Sequence, residues 1–554
     1  MSVGTMSGEL EGIRRRASDL AAGLSKTARQ SATIAQERAV LRMLGVEGLD
    51  RSGQPLAAAL ADGYCGSQPA RLARGILLPF AVALLEYELA PRALALDVAA
   101  RSVDLGFEEE LLAQPDRLAA AERHAAGLIG SALARFDANK TASRELREVL
   151  GTSPEPLLGA VLASSEVSEA ARETKACVGE GVDVVQVRVP ASWEFTEARR
   201  QAGLEAPDPS ETSASRHRRE RRSKPGGSAR STASGAVRGA PGGALVLRSE
   251  HEPVPAGSQR GLAELRKAAD DAAAERGCYA RLMTVASAFA APEQAVVAAF
   301  ERMDLVEADP IREIVEDNVD PGRALADHCF AHRLQARAGC LVVIGAGPLA
   351  LGADVARGVP SDASTRAGRA LAMQALGVEL ALADGLPVDR LLLGAVPSWV
   401  AEEGDPKEVF VQAALRRLLF PAHRRVIEEV ADSPAAGSVV ALVTALSAGT
   451  AAVVVRPRVS GRGRHTAAEL RAAAMAATVL RGSLGDGALH GEAALSAERT
   501  LAAANATLDR LASEGWASLL GPTGTDETER FGSAAVVERA SGPGASAALL
   551  EILG

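Results

Sequence analysis

Arg188 stands near the end of an apolar, β-branched run, Val182 to Val189. If that run is a strand of a parallel sheet, its carboxyl end faces the crevice in which such folds bind ligands. A second candidate is CLVVIGAGPLALG, Cys340 to Gly352, a strand followed by G-x-G-x-x-A. Glycines at that spacing let a backbone approach a pyrophosphate at a helix N-terminus. The dinucleotide reading requires a second strand ending in an acidic residue about 20 residues on. The downstream sequence is instead RGVPSDASTRAG, a turn leading into a helix, which favours a tight loop. His328 and His332 are four residues apart, so on a helix they could share a face and bind a metal. No HExxH pattern or third ligand accompanies them, and a core or surface role is expected. Neither GxxxxGK[ST] nor GxSxG occurs, which argues against phosphoryl transfer and serine hydrolysis.

The elements that must position these residues begin at Pro156. An apolar run (Leu157–Ala163), a helical segment (Val167–Val178) and the Val182–Val189 run form a βαβ unit, hence a parallel sheet covered on both faces. Further strands are expected at Tyr279–Ser287, Asp304–Asp309, Gly339–Gly345, Arg390–Pro397 and Ser438–Leu446, with a weaker one at Arg425–Val430. Ala-rich helical segments alternate with them: Gly261–Arg276, Pro292–Arg302, Gly322–Ala336, Ser364–Ala383 and Pro406–Leu419. This alternation predicts an α/β fold, a (β/α)₈ TIM-type barrel over 151–460, with an open doubly wound sheet as the alternative pattern.

Residues 1–150 read as a helical N-terminal accessory region. One helix is expected over Gly23–Leu44, a buried one over Ile76–Leu89, and two amphipathic ones over 115–150. Residues 461–520 read as a C-terminal helical region, with helices at His465–Leu480 and Glu492–Trp516, and 521–554 as a flexible tail. Residues 203–260 interrupt the barrel with a Pro-, Ser-, Gly- and Arg-rich stretch that includes SRHRRERRSKPGG. Such composition buries too little apolar surface to offset ordering, so a disordered basic insertion is expected, more a solvated linker than a nucleic-acid site.

A formal net charge of −9 gives no global reason to expect nucleic-acid binding. Five cysteines without a CxxC pair favour free thiols and a cytoplasmic location. No apolar run has spanning length, so no membrane segment is expected.

Several long blocks, in order, resemble one family. They are QERAVLRMLGVEGLD (Gln36–Asp50), PLLGAVLAS…GVDVVQVR, YARLMTVAS followed by PEQAVVAAFERMD, and RAGCLVVIG. Together they are similar to the alpha (large) subunit of lysine 5,6-aminomutase from about residue 25 to 520, the basic insert excepted. The resemblance implies a barrel with helical accessory regions and a radical 1,2-amino shift on an amino-acid substrate. It implies adenosylcobalamin and pyridoxal phosphate as cofactors. It also implies a smaller beta subunit that carries the cobalamin domain and the lysine that holds pyridoxal phosphate. This chain has neither a D-x-H-x-x-G cobalamin signature nor a lysine at an expected strand end.

By the same resemblance, Arg188 matches an arginine near the cofactor and Ser192 a serine of the same loop, so both are expected cofactor-binding residues. Other positions depart from the family. Arg312 falls where a tyrosine stacks on the pyridine ring, Asp317 where an arginine stands, and Gly347 where a carboxylate stands. TVASAFAA (Thr284–Ala291) replaces a cysteine- and asparagine-bearing strand end. Two readings follow: an aminomutase retuned for its substrate or cofactor, or an inactive homologue that serves a cobalamin-binding subunit as a scaffold or regulatory partner.

Overall fold

Six short apolar segments of the computed structural model lie side by side as one parallel sheet, in chain order. They are β2 (Gly159–Leu162), β3 (Val184–Val187), β4 (Arg281–Val285), β5 (Leu305–Glu307), β6 (Leu341–Ile344) and β7 (Leu391–Leu393). The structure describes residues 3–50, 54–65, 68–106, 108–153, 157, 159–162, 166–187, 256–286, 290–315, 319–345, 362–394, 406–421, 492–516 and 536–541. The strands expected at Arg425–Val430 and Ser438–Leu446 lie outside these residues, as does the helix expected at His465–Leu480.

The register sorts the strand residues by face. Met283 is paired with Gln186 and Leu305, Leu305 with Leu341, and Val343 with Leu392. Partners in a parallel ladder point the same way, and side chains alternate along each strand. One face therefore presents Val184, Met283, Leu305, Val343 and Leu392, which with Leu157 form a small apolar cluster of their own. The other face, including Val185, Leu282, Val306 and Val342, joins the large core shared with the helices. Two separately buried faces explain why these strands read as unbroken apolar runs. This is the inside and outside of an α/β barrel.

The connecting helices follow the expected alternation: α9 (Val167–Gly179), α10 (Ala256–Arg276), α11 (Ala291–Phe300), α13 (Pro321–Ala338), α14 (Ala363–Ala383) and α15 (Pro406–Leu419). A short helix after β5, α12 (Pro310–Val315), was not foreseen, because one and a half turns carry no period.

Two expectations before the barrel are corrected. The helix expected over Gly23–Leu44 is broken into α1 (Val3–Arg29) and α2 (Ile34–Met43). Between them β1 (Ser31–Ala32) pairs antiparallel with β8 (Val537–Glu538), and the Thr33 hydroxyl caps α2 by accepting from the Gln36 amide. A long-range strand pair and a cap outweigh a continuous helical period here. Conversely, 115–150 is one helix of 36 residues, α8, opened by Pro115 and ended at Gly151 with φ +72. Gly127 and Gly130 cost helix stability but do not stop it.

Close packing and buried charge tie the flanking helices to the barrel. A Cβ on Gly368 of α14 would lie 2.4 Å from the Thr500 carbonyl oxygen and 2.6 Å from Ala503 Cβ on α16 (Glu492–Glu514). Arg42 of α2 and Glu293 of α11 form an ion pair of 2.8 Å with both side chains at most 2% exposed. From residues 536–541, Arg539 reaches Glu37 at 3.4 Å.

Candidate active site at the carboxyl mouth of the barrel

Toward the carboxyl ends of the strands the inner face turns polar at Gln186 and Glu307. Gln186 pairs with Met283, and Glu307 pairs with Val343, so both share the inner face with the apolar cluster. Both are buried. Gln186 Nε2 donates to Glu307 Oε2 at 3.4 Å, while Gln186 Oε1 is buried without a hydrogen-bond partner. A carboxylate taken out of water needs compensation. The Arg312 guanidinium supplies charge from the first turn of α12, 3.9 Å from Glu307 Oε1, and its side chain keeps 18% exposure.

The rim is stapled by backbone-directed bonds. Asp309 follows β5; its Oδ1 accepts from the amides of Ile311 and Arg312, and its Oδ2 accepts from Gly345 at the end of β6 at 2.7 Å. Gly345 has φ +74, and a Cβ there would lie 2.5 Å from Gln374 Nε2. Gln374 in turn accepts from Arg416 Nε at 2.7 Å, and Arg416 donates to the Gly394 carbonyl beyond β7. Strand ends β5, β6 and β7 are thus fixed relative to one another, which holds Glu307 and Arg312 in place.

Arg188 is the next residue after β3, and with Ser192, Asp317 and Gly347 it lies outside the described residues. Arg312 does reach the mouth. Arg323, the other cation nearby in sequence, does not serve it: Arg323 is buried against Asp327 at 2.5 Å. His328 and His332 take separate partners. His328 lies 3.1 Å from Glu313, and His332 Nδ1 lies 2.8 Å from Asp384. Among the described residues no cluster of three metal ligands occurs, and the pair belongs to the core. Burial pulls the His328 imidazole down, but Glu313, with Asp309 and Asp327 behind it, outweighs burial and holds it above its ordinary value.

Sequence reading missed Gln186 and Glu307. The signal was available: VVQV and LVE each place one polar residue at an inward position of an otherwise apolar strand.

Residues 6–192 and 256–425 match the family described as the D-lysine 5,6-aminomutase TIM-barrel domain of alpha subunit. The chain belongs to that family. Two relatives are named lysine 5,6-aminomutase alpha subunit. The one from Fusobacterium nucleatum is 24% identical over 429 residues, covering 73% of this chain and 70% of the relative. The one from Acetoanaerobium sticklandii is 24% identical over 418 residues, covering 74% and 68%. The gap in the family match, 193–255, covers most of the basic insert at 203–260.

Proposed function

We propose that the chain is the barrel subunit of a cytoplasmic aminomutase that shifts an amino group within an amino-acid substrate. It works with pyridoxal phosphate and adenosylcobalamin, the latter held mainly by a smaller beta subunit. The observation that carries this reading is the inward set Gln186, Glu307 and Arg312 at the carboxyl mouth of a barrel of this family. No helix among the described residues is long and apolar enough to cross a membrane.

The set fits an amino acid carried on pyridoxal phosphate. Glu307 offers negative charge to an ammonium, Arg312 offers a planar donor fork to a carboxylate or phosphate, and the unpaired Gln186 Oε1 accepts one N–H. Arg188 and Ser192 would add a cation and a hydroxyl toward the cofactor phosphate. When bound, adenosylcobalamin supplies the radical and pyridoxal phosphate carries the migrating nitrogen. The barrel's part is to orient, to balance charge, and to exclude water with the apolar layer of Met283, Leu305, Val343 and Leu392 beneath the polar set.

One observation favours the scaffold reading. Arg312, at the position where the family stacks a tyrosine, faces Glu307 within the mouth, and the two charges offset each other without a ligand. Turnover decides between the readings. The complex isolated from its native host, given both cofactors and either lysine enantiomer, should show amine migration. No migration with any amino acid, from a complex that contains a cobalamin subunit, would leave the scaffold reading. In the active complex Arg188→Ala should weaken pyridoxal phosphate binding by roughly tenfold or more, as expected for loss of a charge-assisted contact; unchanged affinity would remove Arg188 from the site.

A further inference from the structure

The opposite end of the barrel holds a cavity of about 1080 Å³, lined by the amino ends of β4, β6 and β7 and by one face of α8. Active sites on this fold use the carboxyl end, so this cavity is not part of the site described above. Its charge is unbalanced. The carboxylates that line it are all engaged. Asp304 accepts from Arg266, from the Tyr279 hydroxyl and from the Leu282 amide; Asp137 is paired with Arg337, Glu148 with Arg144, and Asp389 with Arg390. Lys140, Arg147 and Arg281 also line the cavity, and among the described residues none of them has a carboxylate partner.

Two guanidinium groups show what is missing. Arg281 begins β4 in register with Val184, on the inner face of the barrel, and its Nη1 is buried without a hydrogen-bond partner. Arg302 reaches Asp270 with Nη1 at 2.9 Å, but its Nη2 is likewise buried and without an acceptor. Arg302 also holds φ +57, a left-handed conformation that a non-glycine residue seldom adopts. Lys140 is laid over Gly339, at the start of β6, where a Cβ would lie 3.0 Å from its Cε. Buried donors without acceptors and cations without counter-ions call for the same thing, an acceptor-rich anion.

We propose that the amino-terminal mouth of the barrel binds a small multivalent oxyanion of the phosphate-ester or pyrophosphate class, held by Arg281, Arg302, Lys140 and Arg147. Phosphoryl groups suit the site because each brings several acceptor oxygens on one centre, which a guanidinium can hold by two parallel bonds. The proposal is independent of the cofactor reading, because no residue is shared with the carboxyl mouth.

Titration calorimetry on the full-length chain with inorganic pyrophosphate tests it. One saturable site is expected, together with a rise in thermal midpoint larger than sodium chloride gives at equal ionic strength. Combining Arg281→Met with Lys140→Gln should weaken binding by roughly tenfold or more, as loss of two charged contacts predicts. The same double variant should unfold at a midpoint no lower than the parent in the absence of anion, since it removes unpaired cations. Arg123→Gln, an exposed arginine on α8 outside the cavity, should bind as the parent does. If the double variant misfolds, Lys140→Gln alone, at an exposed helix position, must still lower affinity. Pyrophosphate no more effective than chloride, or equal binding by the variants, would overturn the site. Tighter binding of citrate than of pyrophosphate would overturn the phosphoryl class.

Discussion

Gln186 Nε2 and Glu307 Oε2 meet at 3.4 Å on the inner face of the barrel, although β4 runs between their strands. The contact is made over the top of the apolar cluster, and it marks where the barrel changes from packed core to polar mouth. Removing Glu307 would expose the cost of that layer. Glu307→Ala should destabilise the chain by about 1–3 kcal/mol, because it strands the Gln186 amide and removes the carboxylate 3.9 Å from the Arg312 guanidinium. Urea unfolding measures this, and an unchanged midpoint would mean that the three side chains do not act together. In an active complex, Glu307→Gln should lower kcat/KM while leaving stability nearly intact.

The His328–Glu313 pair gives a pH dependence of known sign. His328 is held above its ordinary value of 6.5, burial opposing and the Glu313 carboxylate prevailing, so it binds its proton more tightly folded than unfolded. Its stabilisation is therefore complete below about pH 6.5 and is lost as pH rises through the folded value. Unfolding midpoints taken between about pH 6 and pH 9 should fall with pH, and His328→Gln should flatten that fall. A parallel decline in the variant would assign the slope to other groups.

Gly368 permits the approach of α14 to α16. Gly368→Ala forces a methyl group to within 2.4 Å of the Thr500 carbonyl oxygen, a backbone atom that cannot swing away. Overpacking of this kind costs about 1–3 kcal/mol, more than the helix propensity gained by alanine. A higher midpoint in the variant would show that the two helices part easily.

Thiol labelling should divide the cysteines by burial. Burial pushes Cys65 and Cys329 well up and Cys340 to about 12, in each case helped by nearby carboxylates. Cys177 and Cys278 are only partly covered. Brief alkylation of the native chain at about pH 8 should modify those two first by mass spectrometry, since thiolate and access are both required. Early labelling of Cys340 would contradict the packing at the start of β6.

The sequence by itself determined the order of the strands and longer helices from 157 to 419 and the family, but not the short α12. Apolar runs bounded by turns, such as Val182–Val189 and Gly339–Gly345, are short-range signals, and burial on both faces of a parallel sheet writes them plainly. It also supplied the position of Arg312, though not its partner. What tertiary structure decided are relations between distant residues. The break between α1 and α2 depends on Val537–Glu538 pairing with Ser31–Ala32, some five hundred residues away in the chain. The fusion of 115–150 into one helix depends on packing that overrides two glycines. Which face of β3 turns inward, and hence that Gln186 meets Glu307 while Arg281 opens toward the other mouth, is set by register. Local propensity cannot fix register, because a shift of one residue exchanges the two faces without changing the composition of the strand.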